Sequence, residues 1–255
     1  MDLLEHLGRY THFALRTLAA LPSALLRPRE LLRQFYHVFL GALPLGLVAG
    51  LALGVVVWLH LHEVLRRFHV EELLPQYLAL AVVLELAPTG AGLIVAGRSG
   101  ASLGAELGSM KLTEQIDALE VLGLSPLRQL VAPRVLACVL ALPLLTVFIT
   151  YLAIAGSYGA ELLGGNLTWT QYRSACLREL RLQDMLPAVL KTTVFGFLVA
   201  VTGCYCGLTA HGGTEGVGRA ATRGVVVSTL LVLASNVLLV QLIVVVSSLL
   251  GRLSR

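Results

Sequence analysis

Charge is what this sequence lacks. Only 13% of its 255 residues are Asp, Glu, Lys or Arg, and just two of them, Lys111 and Lys191, are lysines. Soluble domains carry about 25% charged residues, so a water-exposed globular body is excluded. Aromatic residues stand at 6%, and the basic residues form no stripe interleaved with them, which argues against a nucleic-acid partner. Cysteine occurs four times without a C-x-x-C pair: Cys138, Cys204 and Cys206 fall in apolar stretches and Cys176 in a predicted loop. Neither zinc nor a disulfide framework is expected. No G-x-x-x-x-G-K-[ST] is present and neither lysine follows a glycine, so the chain is no P-loop ATPase by itself. The N-terminus also lacks the basic-then-apolar order of a cleaved signal peptide.

What the sequence has is apolar length. It is 56% apolar with a mean hydropathy of +0.82. Five runs, 38–59, 73–97 (broken by Glu85), 135–160, 192–214 and 224–251, reach the roughly 20 residues a helix needs to cross a bilayer. They are continuously apolar rather than alternating, which predicts an all-α membrane protein with five transmembrane helices and not a barrel. Ahead of them Leu3, Leu7, Tyr10, Ala14, Leu18 and Leu21 share one arc at helical spacing, with Asp2, Glu5, Arg9, His12 and Arg16 opposite. That pattern predicts an N-terminal interfacial amphipathic helix or, alternatively, a soluble helix packed on a partner. A bend at Pro22 and Pro28 follows. The chain thus reads as one domain over 1–255, with 1–30 forming the interfacial helix and bend and 31–255 the five-span body. Lys and Arg on the connections of the N-terminal side outnumber those on the other, which predicts a cytoplasmic N-terminus and a C-terminus on the opposite side.

The stretch from Glu85 to Arg134 is the most informative. Gly92, Ala96, Gly100, Gly104 and Gly108 recur every four residues, a smooth helix face suited to close helix packing rather than to a ligand. A short helix is then expected from Thr113 as N-cap to Leu122, stopped by Gly123, with Ser125-Pro126 restarting the next. On it Glu114, Asp117 and Glu120 share one face and Leu112, Ile116, Leu119 and Leu122 the other. The acidic face suits a cytoplasmic partner or is simply solvated.

In Glu85 a lone carboxylate interrupts an apolar span, with Pro88 one turn on predicting a kink; Lys191 opens the fourth run. Both are candidates for an inward face that meets a lipid head group, the alternative being a snorkelling lysine and a carboxylate bonded to a neighbouring helix. Arg98, Arg219 and Arg223 sit at span ends, where they attract anionic lipid or anchor the helices. His60, His62 and Glu63 lack metal-site spacing and mark, with Trp58 as interfacial anchor, the outer end of span one. Neither they nor any other residues form a nucleophile and base pair, so an intramembrane lipid-modifying enzyme is the minor alternative. Gly216-Val-Gly-Arg-Ala-Ala matches a dinucleotide fingerprint only formally, for no βαβ unit surrounds it. Asn166-Leu-Thr168 is a formal glycosylation sequon.

The run GLIVAGRSGASLGAELGSMKLTEQIDALEVLGLSPLRQLVAPRVLA resembles the signature of MlaE/YrbE-type permeases, the membrane subunits of lipid-transporting ABC systems associated with MCE-domain proteins. KTTVFGFLVAVTGCYCGLTAHGGTEGVGRAATRGVVVS resembles that family's fourth span, Gly-rich cytoplasmic loop and entry to the fifth. The two matches cover roughly residues 80–250. Leu84 stands where the family often has Arg, and Ala87 replaces a Gly, so no role of that Arg transfers. The resemblance implies a phospholipid permease subunit working as a homodimer, with a cytoplasmic coupling helix between spans two and three and a lipid cavity at the dimer axis. It implies ATPase contacts at Glu114, Gln115, Asp117 and Glu120, and an MCE-domain protein on the far side. This chain would bind no cofactor, ATP and Mg being used by the partner ATPase. The membrane would be a bacterial inner membrane or a plastid inner envelope. The competing reading is a scaffold subunit that recruits an ATPase without a lipid path.

Overall fold

The computed structural model describes residues 2–253 apart from Asn166, Glu179 and Arg181, so the sequon at Asn166 lies outside the described residues. Within them the chain is helical and without strands. In order come α1 (Asp2–Leu25), α2 (Pro28–Arg67), α3 (Glu71–Leu112), α4 (Gln115–Val121), α5 (Leu127–Gly164), α6 (Trp169–Arg178), α7 (Leu182–Leu208) and α8 (Gly213–Leu253). Five of these, α2, α3, α5, α7 and α8, are long and apolar enough to cross a membrane. They run past the apolar stretches at one or both ends, because flanking polar residues continue the backbone ladder once the apolar middle has set it. Pro22 does not end α1; the break falls at Leu26 and Arg27, ahead of Pro28.

Polarity is distributed as lipid demands. Large apolar side chains point outward, among them Val48 on α2, Tyr151 on α5 and Val237 on α8, each more than two-thirds exposed. The buried polar groups are mostly small hydroxyls that bond carbonyls of their own helix: Thr17 donates to Phe13, Ser157 to Ile154, Thr192 to Val189 and Thr202 to Leu198. Those four hydroxyls are thereby spared the cost of an unpaired buried donor.

Three π-helical turns interrupt the spans, at Val82–Leu86 and Ala96–Gly100 in α3 and at Leu127–Val131 opening α5. The first and last lie directly ahead of Pro88 and Pro133. A proline ring clashes with the carbonyl four residues back and offers no N–H; widening the preceding turn, so that Ala87 bonds Val82 and Ala132 bonds Leu127, lets the helix continue.

The chain divides into two compact units, and the division falls inside the long helices. The first comprises Met1–Ala42, Gly92–Leu142 and Thr193–Leu238; the second comprises Leu43–Ala91, Pro143–Thr192 and Leu239–Arg255.

In the first unit α1 packs through Tyr10, Phe13, Thr17, Ala20 and Ala24. Ala20 and Ala24 meet Ala132, with Leu127 and Leu136 alongside. Leu4, Leu7, Leu15 and Leu18 are left exposed. The helix therefore has two apolar stripes, and the single arc expected from sequence mixed them. The glycine stripe of α3 faces α8: a Cβ on Gly100 or Gly104 would come to 3.3 Å or 3.0 Å from the carbonyl oxygens of Gly224 and Ala220. Gly92 lies against Val232 and Phe195, and Gly108 against Ala210 and Val217, while Ala96 between them is fully buried.

In the second unit α2 and α5 approach more closely. Gly46, Gly50 and Gly54, again four apart, face Leu145, Ile149 and Ala153, and a Cβ on Gly54 would lie 1.8 Å from the Ala153 oxygen. Short α6 lies on the Leu74–Ala81 turns of α3, where Cys176 donates to the Pro75 carbonyl. Cys176 is thus buried on a helix, not in a loop. All four cysteines are free and buried.

Candidate functional site

Glu85 occupies the π turn of α3 and Lys191 the α7 helix, and the second unit brings them together: Lys191 Nζ lies 2.8 Å from Glu85 Oε1. The lysine side chain is 2% exposed, whereas the carboxylate is 43% exposed. Lysine reaches this place along a four-carbon stem buried in the helix bundle, and the extra residue of the π turn turns the carboxylate toward it. One turn on, the Thr89 hydroxyl is buried and makes no hydrogen bond. A buried ammonium, a half-exposed carboxylate and an idle hydroxyl can together hold a charged head group, while the apolar surroundings favour acyl chains.

A second pair of the same build lies in the first unit. Arg134 Nη2 donates to Glu106 Oε1 at 2.6 Å and its Nη1 to the Leu130 carbonyl at 2.8 Å. The guanidinium is 5% exposed and the carboxylate 44%. This pair was missed as a site in the sequence, where Arg134 figured only as a cytoplasmic positive charge. Twenty-eight residues separate the partners, and no periodicity links them.

The acidic segment departs from expectation. Thr113 does not open α4; its hydroxyl donates back to the Ser109 carbonyl and closes α3, and Glu114, in a left-handed conformation at φ 57°, turns the chain. Gln115 donates to Thr113 Oγ1, and Asp117 is paired with Lys111, so Asp117 is not a bare acidic charge. That pairing raises the Lys111 pKa above its ordinary value, its hydrogen bond to Asp117 being the main cause. Gly123 at φ 72° ends α4 as expected, with Gly123 and Leu124 donating to the Glu120 and Leu119 carbonyls. Of the supposed docking face, Ile116 is buried and Leu119 half-buried, but Leu112 and Leu122 are exposed, as is Val121. Glu114 and Glu120 are exposed beside them. The segment therefore presents carboxylates and bare apolar side chains together.

The three candidate arginines have different surroundings. Arg98 stands in the second π turn with its guanidinium where a Cβ of Gly41 would be, so it packs across α2. Arg219 pairs with Glu215 at 3.4 Å. Arg223 has no carboxylate within 4 Å among the described residues and borders a groove. At the far end of span one, Trp58 is not a lipid-facing anchor. It is 3% exposed and donates to the buried Glu161, because a carboxylate in that setting needs donors. Leu167 N–H is another donor, and His62 stacks on the indole at 4.5 Å. Among the described residues no group of His, Cys, Asp or Glu is arranged to hold a metal ion.

Five long apolar helices, with a charged pair inside the apolar region and an exposed acidic segment between two of them, define a multi-pass membrane protein. The family described as Permease MlaE matches residues 31–242, and the chain belongs to that family. It is 36% identical over 234 residues to a probable ABC transporter permease protein of Rickettsia typhi, which covers 91% of this chain and 90% of that one. It is 31% identical over 245 residues to the intermembrane phospholipid transport system permease protein MlaE of Haemophilus influenzae, with 94% and 92% covered. A 151-residue stretch is 40% identical to the chloroplastic protein TRIGALACTOSYLDIACYLGLYCEROL 1 of Arabidopsis thaliana, covering 59% of this chain and 43% of that protein. The chain is thus a lipid ABC permease without its own ATPase motif.

Proposed function

We propose that this permease moves phospholipid through a cavity in which Lys191 and Glu85 receive the head group. The observation that carries this reading is the pair itself: an ammonium 2% exposed, 2.8 Å from a carboxylate that is 43% exposed, inside an apolar span. A lone charge at membrane depth costs at least roughly 2.5 kcal/mol, so a charged pair placed there and reached by solvent through its carboxylate marks a functional site. A phosphate that reaches the pair displaces the carboxylate from Lys191 or bridges to it through a second cation-bearing group of the lipid.

Energy comes from a separate ATPase that uses ATP and Mg and presses on the segment around α4, where Glu114, Gln115 and Glu120 meet exposed Val121 and Leu122. Shifts of α4 pass into α3 and α5, which it joins, and change the exposure of the cavity. A homodimer is supported by α8, whose most apolar window is only 6% buried in a single chain against 50% for α3 and α7. An MCE-domain protein on the far side would receive or deliver the lipid. The membrane is a bacterial inner membrane or plastid inner envelope, with the N-terminus cytoplasmic and the C-terminus opposite.

The test is mass spectrometry of lipids that copurify with the detergent-solubilised protein, comparing wild type with Lys191→Met and Glu85→Gln. Selective enrichment of one phospholipid class in wild type, reduced in both variants at normal yield, is expected. Bulk membrane lipid in all three samples would remove the head-group assignment.

A further inference from the structure

The first unit holds a groove of about 780 Å³ between α1, α7 and α8 that the transport reading does not use. Its size falls within the range of small-molecule sites. The floor is rigid: Tyr10 and Thr202 share a hydrogen bond at 2.9 Å, and the Tyr205 ring packs edge-on against Tyr10 at 5.5 Å. Leu7, Val227 and Leu231 form an apolar wall, and Arg9, His211 and Arg223 line the same groove. Arg9 is engaged by Glu5, but Arg223 has no acidic partner among the described residues. An unneutralised guanidinium, two tyrosines and aliphatic side chains in one concavity form the complement of an amphiphile with an anionic head.

We infer that this groove binds an anionic phospholipid of the leaflet in which α1 lies, its phosphate at Arg223 and an acyl chain along Val227 and Leu231. The site is distinct from the Lys191–Glu85 pair and does not rest on it. On α8, Arg223, Val227 and Leu231 line the groove, while the 220, 224, 228 and 232 positions face the glycine stripe and the Phe195 region. Bound lipid would tie α1 to α7 and α8.

The purified protein, titrated with phosphatidylglycerol and separately with phosphatidylcholine, is read by native mass spectrometry. Wild type should retain phosphatidylglycerol preferentially. Arg223→Gln should weaken that retention about fivefold, as expected for one arginine at a membrane surface, while Arg223→Lys keeps it. Val227→Trp, which fills the acyl wall and spares the charge, should reduce occupancy by both lipids; it serves as the test even where Arg223→Gln folds poorly. The inference is overturned if Arg223→Gln and Val227→Trp bind as wild type, or if Lys191→Met alone removes the preference. Displacement of the lipid by excess inorganic phosphate would also overturn it, as would a disulfide between copies formed by Val227→Cys in a Cys206→Ser background.

Discussion

The two compact units are built alike and differ in tightness and in the cation they enclose. Each holds a seam of glycines four residues apart and one buried cation paired to a carboxylate that is a little over two-fifths exposed. In the first unit a Cβ on Gly100 or Gly104 of α3 would come to 3.3 or 3.0 Å from a carbonyl oxygen of α8, which a small shift could relieve, and the cation is Arg134. In the second a Cβ on Gly50 or Gly54 of α2 would come to 2.9 or 1.8 Å from a carbonyl oxygen of α5, and the cation is Lys191. Arginine's planar fork also bonds a carbonyl of its own helix, so Arg134 is fastened at two points. Lys191 has only the compact charge at its tip, which a third group can share. The comparison teaches that fastening and function draw on the same pair chemistry, and that the choice of cation separates them.

The largest effect should come from the seams. At Gly54 even one methyl meets backbone, the Ala153 oxygen at 1.8 Å, and neither helix can yield without moving as a whole. Gly54→Ala should abolish accumulation of monodisperse protein, read by size-exclusion chromatography after solubilisation. At Gly108 the nearest atoms are side-chain carbons at 3.5 Å and beyond, ordinary contact, so Gly108→Ala should leave yield and elution unchanged. Equal behaviour of the two variants would erase the difference in tightness between the units.

The fold was legible because apolar length is decisive in lipid: five runs of adequate length and an amphipathic leader are visible one residue at a time. The α3 stripe was legible for the same reason, as a local period. The stripe at Gly46, Gly50 and Gly54 carried the same four-residue signal and was passed over inside a run read only for its length. Glu85 and Lys191 stood out as charges in apolar surroundings, which is a local property. Their contact is not local, nor is that of Arg134 with Glu106 or of Trp58 with Glu161, whose partners lie 28 and 103 residues apart. Thr113 misled because a threonine before an acidic residue fits an N-cap equally well when it is closing the preceding helix.

The next effect in size separates the two cations. A buried guanidinium that loses its carboxylate cannot give up its proton, so Glu106→Gln should destabilise the protein by about 3 kcal/mol, seen as a lowered thermal midpoint in detergent. Adding Arg134→Met removes the stranded charge and should recover most of that loss, since an apolar replacement of a buried pair is often neutral. The Lys191 ammonium is one compact charge on a flexible stem that can turn to another acceptor, so Glu85→Gln should cost less stability than Glu106→Gln. If Glu85→Gln unfolds the protein as readily, the second pair is a fastening too and its proposed role falls.

The smallest effect belongs to the Lys111–Asp117 pair that holds α4 against the end of α3. Exposed pairs of this kind are worth at most about 1 kcal/mol, so Asp117→Asn should speed amide exchange in Gln115–Val121 by no more than about fivefold. The pH dependence has a definite sign. Lys111 titrates above its ordinary 10.5 because its charged form is bonded to Asp117, so the pair's contribution is complete at neutral pH and fades only as pH climbs through that raised value. Protection of α4, corrected for intrinsic exchange, should therefore be flat from about pH 6 to 9 in wild type. A decline within that window would mean that a group other than Lys111 holds the segment, and the contrast with the two buried pairs would have to be redrawn around it.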